Sequence, residues 1–229
     1  MKNKINIAID GHSSTGKSTI AKLLAKELGY IYVDTGAMYR AVALYAFKNG
    51  FISKDSFDVE SLKLNLDKIE LIFIFNHEKG FAEIHLNGLN VEKDIRNLEI
   101  SNFVSKVAAI SEVRKKLVEQ QKKMGEEKGV VMDGRDIGTV VFPEAELKIF
   151  LTASAEIRAK RRYNEMLDNN EKVSFEDVLE NVKNRDYLDS TREDSPLLKA
   201  KDAIEIDNSY MDKEETYEKA LNLVKDRIH

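Results

Sequence analysis

The stretch "GHSSTGKST", residues 11–19, decides how the rest of the chain is interpreted. Its first eight residues match the pattern G-x-x-x-x-G-K-S/T without a gap. Glycines let backbone N–H groups turn inward around phosphate oxygens, and the start of the following helix adds positive potential. In this pattern the lysine reaches the outer phosphates and the serine ligates Mg²⁺. The sequence therefore predicts a loop that binds a nucleoside triphosphate through Gly11, His12, Ser13, Ser14, Thr15, Gly16, Lys17, Ser18 and Thr19, with Ser18 as the metal ligand.

Short apolar runs on both sides of this loop indicate the fold. One run, residues 5–9, precedes the loop, and helical patterns cover residues 17–28 and 37–48. Four more runs, at residues 30–33, 129–132, 147–151 and 203–206, are typical of parallel strands buried on both faces. We therefore predict an α/β protein with the P-loop NTPase fold, in which helices flank a five-stranded parallel sheet.

Two further segments are predicted to be added to this core. Residues 64–75 are rich in β-forming side chains, residues 81–86 alternate, and Asn87-Gly88 favours a hairpin. This predicts a small antiparallel β insertion over about residues 62–92, followed by helical residues 94–127. Residues 154–188 are typical of two charged helices, the second opened by the capping-box spacing of Ser174 and Asp177. We interpret residues 154–192 as a helical lid.

The composition restricts the possible functions. The 229 residues are 42% apolar and 33% charged, with two prolines, as in a soluble globular protein. The absence of cysteine excludes disulfides, thiolate zinc sites and cysteine nucleophiles. No run approaches the roughly 18 apolar residues of a membrane span, and the start does not resemble a signal peptide. We therefore expect a cytoplasmic protein without membrane partners. The net charge of −4 argues against nucleic-acid partners. A monomer is expected by default.

Charged residues follow two other predicted strands, where a second anion can bind, because open α/β sheets bind ligands at the carboxyl ends of strands. Thr35 and Arg40 are candidates for a phosphate, although a helix N-cap and a surface arginine would explain them equally well. Arg135 is a second phosphate candidate. Asp133 or Asp136 is a candidate for a metal, sugar or base, and an ordinary Asp-Gly turn is the alternative.

The two charged helices carry further candidates. Arg158, Arg161 and Arg162 share one helix face, which is either solvated or part of a lid that brings positive charge to a transferred phosphoryl group. Along the second helix an apolar stripe ends in an ionic face formed by Arg185, Asp189 and Arg192. Because buried charges need partners or ligands, this predicts the wall of a polar site. An exposed helix end is the alternative.

The loop alone leaves several protein classes open. A GTPase would carry the guanine-reading motif Asn-Lys-x-Asp, which this sequence lacks. A motor or transporter ATPase would be larger or carry partner domains. A small-molecule kinase fits the remaining residues, and a nucleotide-dependent switch without transfer activity is its alternative.

Three longer motifs separate these classes. They are "DTGAMYRA" at residues 34–41, "DGRDIGTVVFP" at 133–143 and "AEIRAKRRYNE" at 155–165. With this set the chain resembles the bacterial cytidylate kinases, a branch of the nucleoside monophosphate kinases, over essentially its whole length. The resemblance implies transfer of the γ-phosphoryl group of ATP to CMP or dCMP, with Mg²⁺, in pyrimidine nucleotide metabolism. A kinase for UMP, AMP or shikimate is the nearest alternative.

The resemblance also implies roles for individual residues. The residues expected to bind CMP are Thr35, Tyr39, Arg40, Ser105, Arg114, Asp133, Arg135, Asp136, Arg185 and Asp189. The residues expected to be catalytic are Lys17, Arg135, Arg158, Arg162 and Arg192, with Arg161 undecided. Asp136 is expected to favour cytosine, because a carboxylate accepts from its amino group, where uracil has an acceptor. The loop interior, residues 12–15, departs from the small apolar residues common in the family.

The expected organisation is one kinase domain over residues 1–229. Its core comprises residues 1–34, 128–153 and 200–229. Residues 35–127 form the CMP-binding region with its insertion, and residues 154–192 form the lid.

Overall fold

The computed structural model of the chain describes residues 4–168 and 171–228. Six residues of the predicted segments lie outside the described residues: 1–3 and 229 of the core, and 169 and 170 of the lid. The chain divides into two compact units. Unit 1 comprises Met1–Ile31 and Glu127–His229, and unit 2 comprises Tyr32–Glu126.

Helices and strands alternate over much of the chain. In chain order they are β1 (Asn6–Asp10), α1 (Lys17–Leu28), β2 (Ile31–Asp34), α2 (Thr35–Lys48), α3 (Val59–Leu64), β3 (Leu71–Asn76), β4 (Phe81–Leu86), β5 (Leu89–Asn90), α4 (Leu98–Ala108), α5 (Ser111–Met124), β6 (Val130–Gly134), β7 (Leu147–Thr152), α6 (Ala155–Asp168), α7 (Phe175–Thr191), β8 (Ile204–Asp207) and α8 (Lys213–Ile228). Single 3₁₀ turns lie at Leu66–Lys68 and Asp94–Arg96, and a π-helical turn lies at Ile137–Val141.

The main sheet has the strand order β2-β6-β1-β7-β8. β1 pairs in parallel with β6 and with β7, and β7 pairs in parallel with β8. Every residue of β1 and β6 is buried, which explains their apolar centres. The polar residues are Asn6 at the start of β1, Asp10 at its end and Asp133 near the end of β6. The predicted five-stranded parallel sheet flanked by helices is confirmed.

Unit 2 contains the predicted antiparallel insertion, a sheet of β3, β4 and β5. The turn between β4 and β5 places Asn87 at φ 49° and Gly88 at φ 80°, the two positive values that a tight hairpin of this kind requires. The prediction of β structure from residue 64 was wrong at its start. Residues 59–64 form α3, because Asp58 caps the helix by accepting from the Ser61 N–H, and Leu62 and Leu66 are both buried one turn apart.

The helical segment that follows is divided into two helices. Residues 94–127 form a 3₁₀ turn, α4 and α5, with Ile110 in an extended conformation between the last two. Helix α2 lies in the centre of the unit 2 core, where Met38 and Val42 are almost completely buried. Unit 2 therefore has its own hydrophobic core.

In unit 1, α6 and α7 pack on each other through a small apolar cluster that includes Ala159, Val178 and Val182. Ser174 caps α7 as predicted, since its hydroxyl accepts from the Asp177 N–H at 3.1 Å and donates to the Asp177 carboxylate at 2.6 Å. These helices occupy the segment predicted as a lid, and a closing movement stays a prediction. No helix within the described residues is long and apolar enough to cross a bilayer.

Candidate active site

The loop between β1 and α1 needs glycine at both ends. Gly11 has a φ of 145°, and a Cβ atom there would collide with the carbonyl group of Leu151. Gly16 has a φ of 87° at the N-cap of α1, where no side chain caps the helix. The first N–H groups of a helix have no intrahelical partner. This helix start is therefore open to an anion.

Lys17 is buried and points back into the loop. Its Nζ donates to the His12 carbonyl oxygen at 2.6 Å, and the Thr15 hydroxyl donates to the same oxygen at 3.1 Å. Burial lowers the pKa of Lys17 to about 7; the Arg135 guanidinium acts in the same direction, and Asp133 and Asp10 oppose it. A phosphate bound in the loop would favour the charged form of Lys17, so this lysine is suited to bind a phosphate.

Ser18 and Asp133 form an oxygen pair beside this loop. The Ser18 hydroxyl donates to Asp133 Oδ2 at 3.0 Å, and Asp133 is buried near the end of β6. Mg²⁺ in nucleotide sites takes one or two protein oxygens and completes its shell with phosphate and water. The pair fits that donor set. Within residues 4–168 and 171–228, no three His, Cys, Asp or Glu side chains cluster in a way that could hold a metal without the nucleotide.

Asp10, the last residue of β1, supports the segment after β6. Its carboxylate accepts from the backbone N–H groups of Ile137 at 2.8 Å and Gly138 at 2.7 Å. Burial raises the pKa of Asp10 to about 7, although both backbone hydrogen bonds oppose the shift. The π-helical turn that begins at Ile137 directly follows Arg135 and Asp136, so Asp10 fixes the backbone that carries them. The sequence signal for this residue was an acidic side chain at the end of an apolar strand.

Of the predicted ionic face of α7, Asp189 is buried, Arg185 is half-buried, and Arg192 follows the last residue of the helix. Arg135 Nε donates to Asp189 Oδ2 at 2.7 Å, and Arg192 lies 3.8 Å from Asp136. Asp189 is only 6% exposed. Burial disfavours its charge, but Arg135, Arg185 and Arg192 outweigh burial and lower the pKa of Asp189. The structure thus brings together the end of β6 and the end of α7 in unit 1.

The three arginines of α6 have different surroundings. Arg158 is 3% exposed, and its guanidinium donates to both carboxylate oxygens of Asp186, at 2.9 and 2.6 Å. Arg161 donates to the side chain and the backbone oxygen of Asn208, at 3.0 and 2.8 Å. Arg162 is half-buried on the same helix. The solvated-face interpretation therefore fails for Arg158.

Sequence reasoning missed two residues that tie these helices and β8 to the loop. Asn208 is buried and donates to the Thr15 carbonyl oxygen at 2.9 Å. Asp186 lies 3.2 Å from the His12 ring. The signals were weak: Asn208 follows a strand end, where ligand sites of α/β sheets gather, and Asp186 lies beside the predicted Arg185.

In unit 2, two arginines share one carboxylate at the start of α2. Asp34 caps the helix by accepting from the Ala37 N–H at 2.9 Å, and Arg40 and Arg96 each donate to its Oδ2 at 3.0 Å. Burial disfavours the charge of Asp34, but the two guanidinium groups outweigh it and bring its pKa to about 2. Thr35 is the buried first residue of α2. Arg96 was missed, because nothing local connects it with a residue 62 positions earlier.

Arg114 and Tyr39 also meet inside unit 2. Arg114 is 1% exposed, and its guanidinium lies 5.6 Å from the centre of the Tyr39 ring. It also donates to the Ala108 carbonyl oxygen at 3.3 Å. Ser105 is half-buried on α4. A fully buried guanidinium against an aromatic ring is suited to a planar polar partner.

The residues expected to bind CMP are therefore divided between the units. Unit 2 contains Thr35, Tyr39, Arg40, Ser105 and Arg114, and unit 1 contains Asp133, Arg135, Asp136, Arg185 and Asp189. Their individual roles stay predictions.

Comparison with known proteins agrees with this geometry. The family model described as cytidylate kinase matches residues 7–226. The chain belongs to the cytidylate kinase family. It is 66% identical to the cytidylate kinase of Flavobacterium johnsoniae over 225 residues, or 98% of each chain. It is 63% identical to that of Flavobacterium psychrophilum over 221 residues, or 96% of this chain and 98% of the relative. The resemblance found from the motifs is confirmed.

Solved structures support the fold. A gluconokinase from Sinorhizobium meliloti 1021 matches with a TM-score of 0.50 at 13% identity, covering 99% of this chain and 95% of that one. A protein from Eubacterium ventriosum ATCC 27560 matches with a TM-score of 0.51 at 13% identity, covering 98% and 100%. At this identity the likeness concerns the fold alone. The predicted P-loop fold is confirmed.

Proposed function

We propose that this chain is a kinase that transfers the γ-phosphoryl group of ATP to CMP or dCMP, giving CDP or dCDP. One observation carries the proposal beyond family membership. In unit 1 the loop lysine, Lys17, lies close enough to Arg135 for that guanidinium to lower its pKa, and Arg135 is itself held by Asp189. A triphosphate loop and a buried guanidinium cluster therefore lie side by side, as transfer of phosphate between two anions requires.

The triphosphate side uses backbone and lysine. The open start of α1 and the glycine-bounded loop supply N–H groups, and Lys17 can leave the His12 carbonyl for a phosphate oxygen. Ser18 and Asp133 are the residues that would hold Mg²⁺. When bound, Mg²⁺ would neutralise charge on the β- and γ-phosphates. We therefore place Asp133 on the metal side rather than on CMP.

We infer direct transfer without a phosphorylated enzyme, because neither a cysteine nor a well-placed histidine is available as the nucleophile among the described residues. The chain has no cysteine, and the His12 ring is engaged with Asp186. His77 and His85 belong to the hairpin sheet of unit 2, and His229 lies outside the described residues. Positioning and electrostatic stabilisation of the transferred group must then supply the rate. Arg162 and Arg192 are our candidates for charge near that group.

Asp136 is the proposed source of the preference for cytosine. It is 4% exposed and lies near Arg192, so its charge is balanced inside unit 1. An ionised carboxylate only accepts hydrogen bonds, and cytosine offers an amino group where uracil offers a carbonyl. Family membership favours CMP over the alternatives of UMP or AMP.

The proposal is tested by measuring acceptor specificity. Wild-type protein with ATP and Mg²⁺ is assayed for ADP release and, by chromatography, for the diphosphate product, with CMP, dCMP, UMP, AMP and shikimate. We expect kcat/KM for CMP to exceed that for UMP by at least about tenfold, since one well-placed hydrogen bond gives discrimination of this size. Equal rates with UMP would remove the cytosine assignment. Slow hydrolysis that CMP leaves unchanged would favour the nucleotide-dependent switch.

A further inference from the structure

The His12 side chain makes a contact that the proposed reaction does not use. Its Nδ1 lies 3.2 Å from Asp186 Oδ1 on α7, and the same carboxylate accepts from both terminal nitrogens of Arg158. Burial disfavours the charge of Asp186, but His12 and Arg158 outweigh burial and bring its pKa to about 2. The contact from His12 is short but lacks the alignment of a hydrogen bond, so His12 presents its Nδ1 edge to a carboxylate that Arg158 holds.

The backbone next to this ring is held as well. The His12 carbonyl oxygen accepts from Lys17 and Thr15, and the Ser13 carbonyl oxygen accepts from Arg158 at 3.5 Å. The His12 ring packs edge-on against Phe150, with centroids 6.5 Å apart. The first half of the phosphate loop is therefore fixed through a side chain and through two consecutive carbonyl groups. We call His12, Arg158 and Asp186 the loop clasp.

The Asp186 member of the loop clasp lies on the same helix as Asp189, which holds Arg135. Asp186 and Asp189 are three residues apart, so they lie on the same face of the helix. Asp186 holds the loop through His12, and Asp189 holds Arg135 at the end of β6. A single turn of α7 is thus attached to the triphosphate loop and to the guanidinium proposed for the acceptor.

We propose that His12 is a positioning residue that couples the order of the phosphate loop to the placement of α7. The inference rests on the proposed phosphotransfer for its catalytic consequence, but not for its effect on ATP binding. Without the Nδ1 contact, the peptide of residues 12–13 loses its side-chain anchor, while Asp186 keeps its pair with Arg158. ATP must then order a looser loop, which weakens binding. The turn of α7 that bears Asp189 loses its direct contact with the loop side chain and stays linked to the loop through Arg158.

Two substitutions separate positioning from general packing. His12→Asn retains a donor near the place of Nδ1, whereas His12→Gln moves the donor to about the place of the other ring nitrogen. We expect His12→Gln and His12→Ala to raise the ATP dissociation constant about tenfold, the effect of losing one close polar contact with a charged group. His12→Asn should stay within about threefold of wild type. In steady-state kinetics, KM for ATP and KM for CMP should both rise while kcat changes less.

A double-mutant cycle tests whether His12 acts through Asp186. In an Asp186→Ala background, His12→Ala should change the ATP dissociation constant by less than about twofold, because the two residues act through one contact. Circular dichroism and thermal unfolding establish that each variant folds, and His77→Ala, in the exposed turn of the hairpin sheet, is the matched histidine control. The inference would be overturned if His12→Asn and His12→Gln weakened ATP binding equally, or if the effects of His12→Ala and Asp186→Ala on the ATP dissociation constant were additive.

Calorimetric titration with ATP keeps the two proposals distinguishable. If wild-type protein binds ATP but does not phosphorylate CMP, the proposed function fails while the His12 effect on ATP binding is still measured. If CMP is phosphorylated and His12→Ala binds ATP as wild type does, only the positioning role is refuted.

Discussion

Asn208 joins the end of β8 to the phosphate loop, and its removal tests whether that loop depends on distant support. The side chain donates to the Thr15 carbonyl oxygen at 2.9 Å and accepts from Arg161 at 3.0 Å. It is 4% exposed, so water cannot easily replace either bond. Asn208→Ala leaves the Thr15 oxygen without its donor and leaves Arg161 with the backbone oxygen of residue 208.

The magnitude follows from the two bonds. A buried amide-to-carbonyl hydrogen bond contributes about 1 kcal/mol, and a bond from a charged donor about 1.5–3 kcal/mol. Because Arg161 is half-buried and keeps a backbone acceptor, the lower end applies to it. We therefore expect Asn208→Ala to lower the free energy of unfolding by roughly 2–3 kcal/mol. The KM for ATP should rise at the same time, since the loop loses a fixed carbonyl.

The assay is urea unfolding followed by circular dichroism, with ATP kinetics on the same preparations. A lower midpoint with an unchanged slope reports lost stability rather than an altered unfolded state. Asn208→Asp is the matched control, because its carboxylate still accepts from Arg161 but cannot donate to the Thr15 oxygen. It should weaken ATP binding and also lose stability, because a carboxylate oxygen then faces the Thr15 carbonyl oxygen in a buried site. Stability within about 0.5 kcal/mol of wild type for both variants, with unchanged KM for ATP, would refute the reasoning.

Three further predictions concern the acceptor side and acid stability. Arg135→Ala should lower kcat/KM for CMP by about a hundredfold or more, because the guanidinium proposed for the phosphate is lost and Asp189 loses its partner; unchanged steady-state kinetics would contradict its place at the acceptor. Asp136→Ala should narrow the ratio of kcat/KM for CMP over UMP toward one, because alanine cannot accept from the cytosine amino group; a wild-type ratio would show that another residue reads the base. Asp34 has a pKa of about 2 in the folded chain against 3.8 ordinarily, so the unfolded state binds more protons on acidification. Between about pH 5 and pH 2, protonation of Asp34 should therefore lower the free energy of unfolding by about 2 kcal/mol. In urea unfolding, Arg96→Ala should show a smaller fall over that range, and identical pH profiles would argue against the shared carboxylate.

The local part of the site was predictable because it depends on short-range geometry. A glycine is required where the Gly11 backbone passes the Leu151 carbonyl, and another where Gly16 adopts a positive φ. Strands buried on both faces are mostly apolar, so β1 and β6 could be found from their short apolar runs. The β prediction for residues 64–75 failed over residues 64–70, before β3 begins, where the helix capped by Asp58 and the burial of Leu66 override the β-forming side chains.

The partners of the charged side chains were decided only by the tertiary structure. A charge on a helix face can be solvated or paired, and its own sequence neighbourhood does not distinguish the two. Asn208 meets Thr15 across 193 residues, and Arg96 meets Asp34 across 62. Such contacts depend on how whole helices and strands pack, because hydrophobic burial places the elements and the polar groups then pair with whatever lies opposite. The sequence by itself determined the phosphate loop and the sheet behind it, and packing determined which residues hold that loop in place.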